Sequence, residues 1–117
     1  MHIMEKVDKP WGYELIWAHT DKYVGKILFV KTGEALSLQY HEEKDETIYL
    51  HSGEIDFLVE EEGSMIRVRL KPGHGYRIKP GIKHRMIAIK DSEILEASTP
   101  ELDDVVRLED RYNRFKE

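Results

Sequence analysis

Glycine divides this chain into pieces too short for anything but strands. Gly53, Gly63, Gly73 and Gly81 follow one another at steps of about ten residues, in turn pairs such as Ser52-Gly53, Pro72-Gly73 and Pro80-Gly81. The runs between them are rich in Ile, Val, Leu, Tyr and Thr, and several alternate apolar with polar residues, the two-residue period of a half-buried strand. No 3.6-residue period appears before residue 99. The pattern predicts an all-β sandwich or barrel of about nine or ten strands, with runs at 13–17, 23–31, 35–40, 47–51, 55–60, 65–70, 76–78, 84–89 and 94–97. The C-terminal tail reads two ways. Thr99-Pro100 is a helix start with a threonine cap, whereas Val105-Val106-Arg107-Leu108 reads equally as a last strand, with only 109–114 turning helical.

The chain's 117 residues fit one domain, 1–117, and leave no room for two. Its 18 basic and 23 acidic residues give a net charge of −5, which argues against nucleic acid, since a polyanion needs a concentrated basic face. No apolar run approaches the ~18 residues of a membrane span and no signal pattern opens the chain. There is no cysteine, so neither disulfides nor thiolate metal sites are available. A cytoplasmic protein is expected.

Strand parity gathers the candidate chemistry. Residues two apart share a face, so Gln39 and His41 point the same way, with the small Ala35 and Ser37 behind them. If Glu46 faces inward, so do Ile48 and Leu50; His84 shares its face with Met86 and Ala88. Burying Gln, His and Glu together is costly without partners, and a cation removes that cost. Two imidazoles with oxygen ligands suit one divalent transition metal, Zn, Mn, Fe, Ni or Co, with positions left for water or substrate.

These residues resemble the motifs of the cupins. The first cupin motif is Gly, five residues, His, one, His, three or four, Glu, six, Gly. Here it reads Gly33, Gln39, His41, Glu46, Gly53 at fitting spacings, with glutamine for the first histidine. The second motif is matched by Gly73, Gly81 and His84, with Lys79 and Ala88 in place of its proline and asparagine. Lys9-Pro10-Trp11-Gly12-Tyr13-Glu14, Leu36-Ser37-Leu38-Gln39-Tyr40-His41, Gly81-Ile82-Lys83-His84-Arg85 and Asp104-Val105-Val106-Arg107-Leu108-Glu109-Asp110 are further similar to the cupin domain of type II mannose-6-phosphate isomerases and to small stand-alone cupins. The resemblance implies a jelly-roll-like β-barrel with a short helical or extended tail, and a metal held by Gln39, His41, Glu46 and His84. It also implies aldose–ketose isomerisation of a sugar phosphate, mannose 6-phosphate to fructose 6-phosphate.

Other residues carry weaker expectations. Tyr13 and Trp11 are candidate walls of a sugar pocket, and Lys79, Lys83 and Arg85 candidate phosphate holders, although Lys83 and Arg85 have the opposite parity to His84. Glu43 belongs to the charged turn Glu42-Glu43-Lys44-Asp45, read as exposed, and His2, His19, His51 and His74 read as surface residues. No residue stands out as general base. Alternatives to the isomerase are a non-catalytic metal- or carbohydrate-binding module, and a metal-dependent dioxygenase or lyase acting on a small molecule. Apolar residues on the non-ligand faces (Ile27, Phe29, Leu36, Leu38, Tyr40) lead us to expect a homodimer.

Overall fold

A computed structural model describes residues 4–112. Its strands are β1 (Glu5–Lys9), β2 (Gly12–His19), β3 (Val24–Val30), β4 (Leu38–Tyr40), β5 (Glu46–Ser52), β6 (Ile55–Glu61), β7 (Ser64–Leu70), β8 (Gly75–Ile78), β9 (His84–Ala88), β10 (Ser92–Ser98) and β11 (Val106–Glu109). They form a six-stranded sheet, β1-β2-β3-β10-β5-β8, and a five-stranded sheet, β11-β4-β9-β6-β7. Every pairing within them is antiparallel. No helix among the described residues is long and apolar enough to cross a membrane.

From β3 onward the chain changes sheet at almost every connection. It crosses at 31–37, 41–45, 53–54, 71–74, 79–83, 89–91 and 99–105, and stays within one sheet only at the β6–β7 hairpin. Most of the glycine turns in the sequence are therefore corners between the two layers. Gly53 shows why glycine is needed: its φ is +95°, and a Cβ there would lie 2.3 Å from Ser92 Oγ and 2.5 Å from the Asp91 carbonyl oxygen.

The core lies between the layers. Leu28, Ile48, Leu50, Ile78 and Ile94 of the larger sheet pack with Ile55, Phe57, Val59, Leu70, Met86 and Ala88 of the smaller one. β5 alternates buried and exposed residues from Glu46 onward, and β9 buries His84, Met86 and Ala88, as parity predicts.

One expectation is corrected here, and the choice left open for the tail is decided. The sheets face each other as a sandwich, and the edge strands β1, β8, β7 and β11 do not join them into a closed barrel. The tail is extended: β11 pairs with β4, the strand reading of Val105-Val106-Arg107-Leu108. No helix starts at Thr99, because its backbone N–H and hydroxyl bond Asp45 across the corner (N–H to Asp45 O, 3.0 Å; Asp45 N–H to Thr99 Oγ1, 3.0 Å). The expected helical turn at 109–114 falls partly outside the described residues; Val106–Glu109 is strand.

Candidate metal centre

Two corners meet at one end of the sandwich, and the predicted triad sits at their ends. His41 opens the 41–45 corner and Glu46 closes it as the first residue of β5, while His84 begins β9 after the 79–83 corner. The Gly81 N–H donates to the His41 carbonyl at 2.6 Å, tying the two corners together. Gln39 lies directly opposite His84 in the β4–β9 pairing. Thus Gln39 and His84 come from the smaller sheet, His41 follows directly on its strand β4, and Glu46 comes from the larger.

His41, Glu46 and His84 are buried, and one ligand atom from each lies within 4.8 Å of the others. His41 Nε2 is 3.5 Å from Glu46 Oε2, and His84 Nε2 is 3.6 Å from Glu46 Oε1. Both Nε2 atoms are buried without a hydrogen-bond partner. Their other nitrogens face main-chain carbonyls: His41 Nδ1 lies 2.5 Å from the Asp104 oxygen and His84 Nδ1 2.9 Å from the Ile82 oxygen. Those acceptors require N–H on Nδ1, which leaves each Nε2 lone pair pointing at the carboxylate, the tautomer a metal ligand needs. Two inward-facing buried lone pairs with an anion between them are expensive unless a cation joins them. His41, Glu46 and His84 thus form a site for one divalent transition metal.

The local electrostatics agree. Burial alone would raise the Glu46 carboxyl, but its surroundings, the Lys44 ammonium among them, outweigh that and hold it well below the usual carboxylate range. Burial pushes the His84 imidazole down, favouring the neutral, ligating form.

Beside the triad lies a cavity of about 100 Å³ whose lining includes Trp11, Leu28, Leu36, Gln39, Met86 and several charged groups. The charged turn expected at 42–45 is only partly exposed. Lys44 is 5 % exposed, because its ammonium turns inward to Glu46 Oε2 (2.8 Å) and Glu96 Oε2 (3.1 Å). Those carboxylates outweigh the cost of burial and raise the Lys44 ammonium's pKa. The Glu96 carboxyl is raised as well, by burial and by the neighbouring Glu46 charge. Glu96 lies opposite Lys26 in the β10–β3 pairing, and Lys26 reaches Glu14 Oε2 at 3.5 Å. A signal for Glu96 exists in the sequence, since it shares the inward parity of Ile94; nothing local marks Lys44.

Asp104 holds the corner that carries Lys44. Its carboxylate accepts the N–H groups of Glu42 (2.9 Å), Glu43 (2.7 Å) and Lys44 (2.9 Å). Gln39 lines the cavity, its Oε1 accepting from Ser37 Oγ at 2.9 Å.

The other candidates lie elsewhere. Tyr13 stacks on Phe29 with ring centroids 5.2 Å apart, and its neighbours Trp11 and Glu14 line the cavity instead. Lys79 lines a separate cavity with Glu60, Glu61, Tyr76 and Arg77. Arg85 donates to the carbonyls of Leu36 (2.9 Å) and Glu109 (3.1 Å), and Lys83 is exposed. His19, His51 and His74 are exposed, as expected, and His2 lies outside the described residues.

Comparison with known proteins agrees with this architecture. The chain is 34% identical over 122 residues to the mannose-1-phosphate guanylyltransferase ManC of Salmonella typhimurium, a match covering 97% of this chain and 24% of that protein. It spans about a quarter of that relative's length. Among solved structures it superposes on KdgF from Halomonas sp. with a TM-score of 0.74 at 24% identity, covering 87% of this chain and 91% of that one. The oxalate decarboxylase of Bacillus subtilis gives 0.77 at 14% identity, covering 90% and 30%. At these identities the structural likeness concerns the fold. The family model for the cupin domain matches residues 23–97, which take in both corners that carry the triad, and the chain belongs to the cupin family.

Proposed function

We propose that this cupin is a metal-dependent enzyme of the lyase type acting on a small, carboxylated, sugar-derived molecule, with Gln39 completing the ligand set of His41, Glu46 and His84. The carrying observation is the size and lining of the space beside the triad. Sites that enclose drug-sized ligands run to ~300–1,000 Å³, whereas this cavity is about 100 Å³. It admits a few heavy atoms, or only the reacting end of a longer molecule.

A bound divalent ion supplies Lewis-acid polarisation of a carbonyl or carboxylate oxygen. The chain's own residues do the rest. The imidazoles of His41 and His84 are locked by their Nδ1 contacts, so the ligand geometry is set before substrate arrives. Leu28, Leu36 and Met86 give part of the lining an apolar surface, which strengthens the charges set beside it. The carboxylate of Glu96 is turned into the same cavity and is the group placed to accept a proton from a bound acid.

A second reading, isomerisation of a sugar phosphate, draws on the match to a protein named for mannose 1-phosphate. Against it stands Lys79, the expected phosphate holder, which lines a different cavity from the triad.

The test begins with elemental analysis of untagged protein beside His41→Ala. We expect close to one transition metal per chain, lost in the variant. Metal-loaded protein is then offered small keto and hydroxy carboxylates and, separately, mannose 6-phosphate. Turnover of a carboxylate upholds the lyase reading, and turnover of mannose 6-phosphate alone replaces it with the isomerase. Protein that refuses Zn, Mn, Fe and Ni alike is a non-catalytic module.

A further inference from the structure

We infer that Lys44 is the residue that binds the substrate's carboxylate, and that Glu96 positions it. The inference rests on the metal-dependent reading above and adds to it a recognition group that sequence inspection places on the surface.

A lysine in a corner loop is ordinarily free to extend into water, and burying its charge is costly. Here the backbone of the corner is pinned at 42–44 by the Asp104 carboxylate, and the side chain is folded inward. Lys44 lines the same small cavity as His41 and Glu46. An ammonium has three N–H donors. Two carboxylates face this one, Glu46 at 2.8 Å and Glu96 at 3.1 Å, so one donor remains to meet a ligand entering the cavity.

The charge of the lining points the same way. Lys9, Lys26, Lys44 and Arg107 stand against Glu14, Glu46 and Glu96, four cationic side chains to three carboxylates. A divalent ion bound by the triad adds two positive charges to this lining. A loaded site of this kind attracts an anion. Of the four cations, Lys44 alone contacts a carboxylate of the triad, so an anion bound to it is delivered to the metal's edge. Glu96 comes from β10, a strand that carries no triad residue. Its carboxylate, 3.1 Å from the ammonium, offsets part of its charge.

The two roles predict changes of opposite sign, which a purely structural ion pair would not produce. The probe is malonate, titrated into Co²⁺-loaded full-length protein and followed by the visible absorption of the cobalt. Lys44→Met should weaken malonate binding at least tenfold while cobalt affinity stays within about threefold. Glu96→Gln, which leaves the ammonium without its counter-charge, should tighten malonate binding at least threefold. Unchanged malonate affinity in Lys44→Met overturns the proposal. If Lys44→Met fails to fold or to load cobalt, Glu96→Gln decides alone: tightening supports the assignment, and unchanged or weaker binding overturns it. Inorganic phosphate serves as a second anion, and Lys44-dependent phosphate binding tighter than malonate would overturn the carboxylate assignment. Wild-type protein that takes up no cobalt overturns the metal reading itself, a separate and recognisable result.

Discussion

His41 and Asp104, separated by 63 residues in sequence, meet where the Nδ1 of the imidazole lies 2.5 Å from the main-chain oxygen of the aspartate. The same aspartate uses its carboxylate to hold three consecutive N–H groups at 42–44. One residue after the last long strand therefore both aims a metal ligand and shapes the corner beside it.

Asp104→Ala removes the three side-chain acceptors and keeps the main-chain oxygen that His41 uses. We expect a loss of about 1–3 kcal/mol in stability, read by chemical denaturation. Asp103→Ala, an exposed neighbour, should stay within ~0.5 kcal/mol. Equal effects of the two would show that the capping contacts contribute nothing.

The metal-free protein should lose stability as pH falls below ~6.5. Burial lowers the His84 pKa in the folded state, so between that lowered value and ~6.5 the unfolded chain binds more protons than the native one. Stability then rises with pH across this window and levels off above ~6.5. Thermal melts with chelator present should show a falling Tm from pH ~6.5 to ~5.5, and His84→Gln should flatten the slope. A Tm that climbs on acidification would contradict the assignment.

Gly53→Ala tests the corner geometry. Its +95° φ and the short approach to Ser92 and Asp91 leave no place for a methyl group. The backbone strain alone is about 1–3 kcal/mol, and the clash adds to it. A variant as stable as wild type would show that this corner relaxes.

Phe57 is fully buried, packs edge-on to Tyr76 at 5.1 Å and lies 6.3 Å from the His84 ring. Phe57→Ala should cost about 3–5 kcal/mol and weaken metal retention, because the cavity opens beside a ligand. Retention equal to wild type in the folded variant would separate the core from the site.

The homodimer remains an expectation. Trp17, Tyr23, Tyr49, Met65 and Ile66 are large apolar residues left exposed, in keeping with faces that pair. Light scattering at micromolar concentration should give twice the chain mass, and a monomeric mass would retire the idea.

The extent to which the sequence could be read depended on the range of the interactions. Parity and spacing are local, so the inward set Glu46, Ile48, Leu50 and the set His84, Met86, Ala88 could be read from residues two apart, and the glycine corners from single turns. Lys44 could not. Its inward turn depends on Glu96 and on the corner held by Asp104, partners 52 and 60 positions away, and nothing in Glu42-Glu43-Lys44-Asp45 distinguishes it from a solvated charge run. Tyr13 and Glu14 show the other limit. Alternation says that one of them faces inward, and only the pairing of β2 with β3 beneath the opposite sheet decides for Glu14. β1 carries mostly exposed polar residues, so no apolar alternation announced it.

The division of the ligands between the layers has a mechanical consequence. His84 and the end of β4 that leads into His41 belong to one sheet and Glu46 to the other, so an ion gripped by all three would act as a rivet through the sandwich. Pulling the layers apart and releasing the ion then become a single event. Amide protection on β5 and on β9, strands that share no backbone ladder, should therefore rise and fall together with metal occupancy.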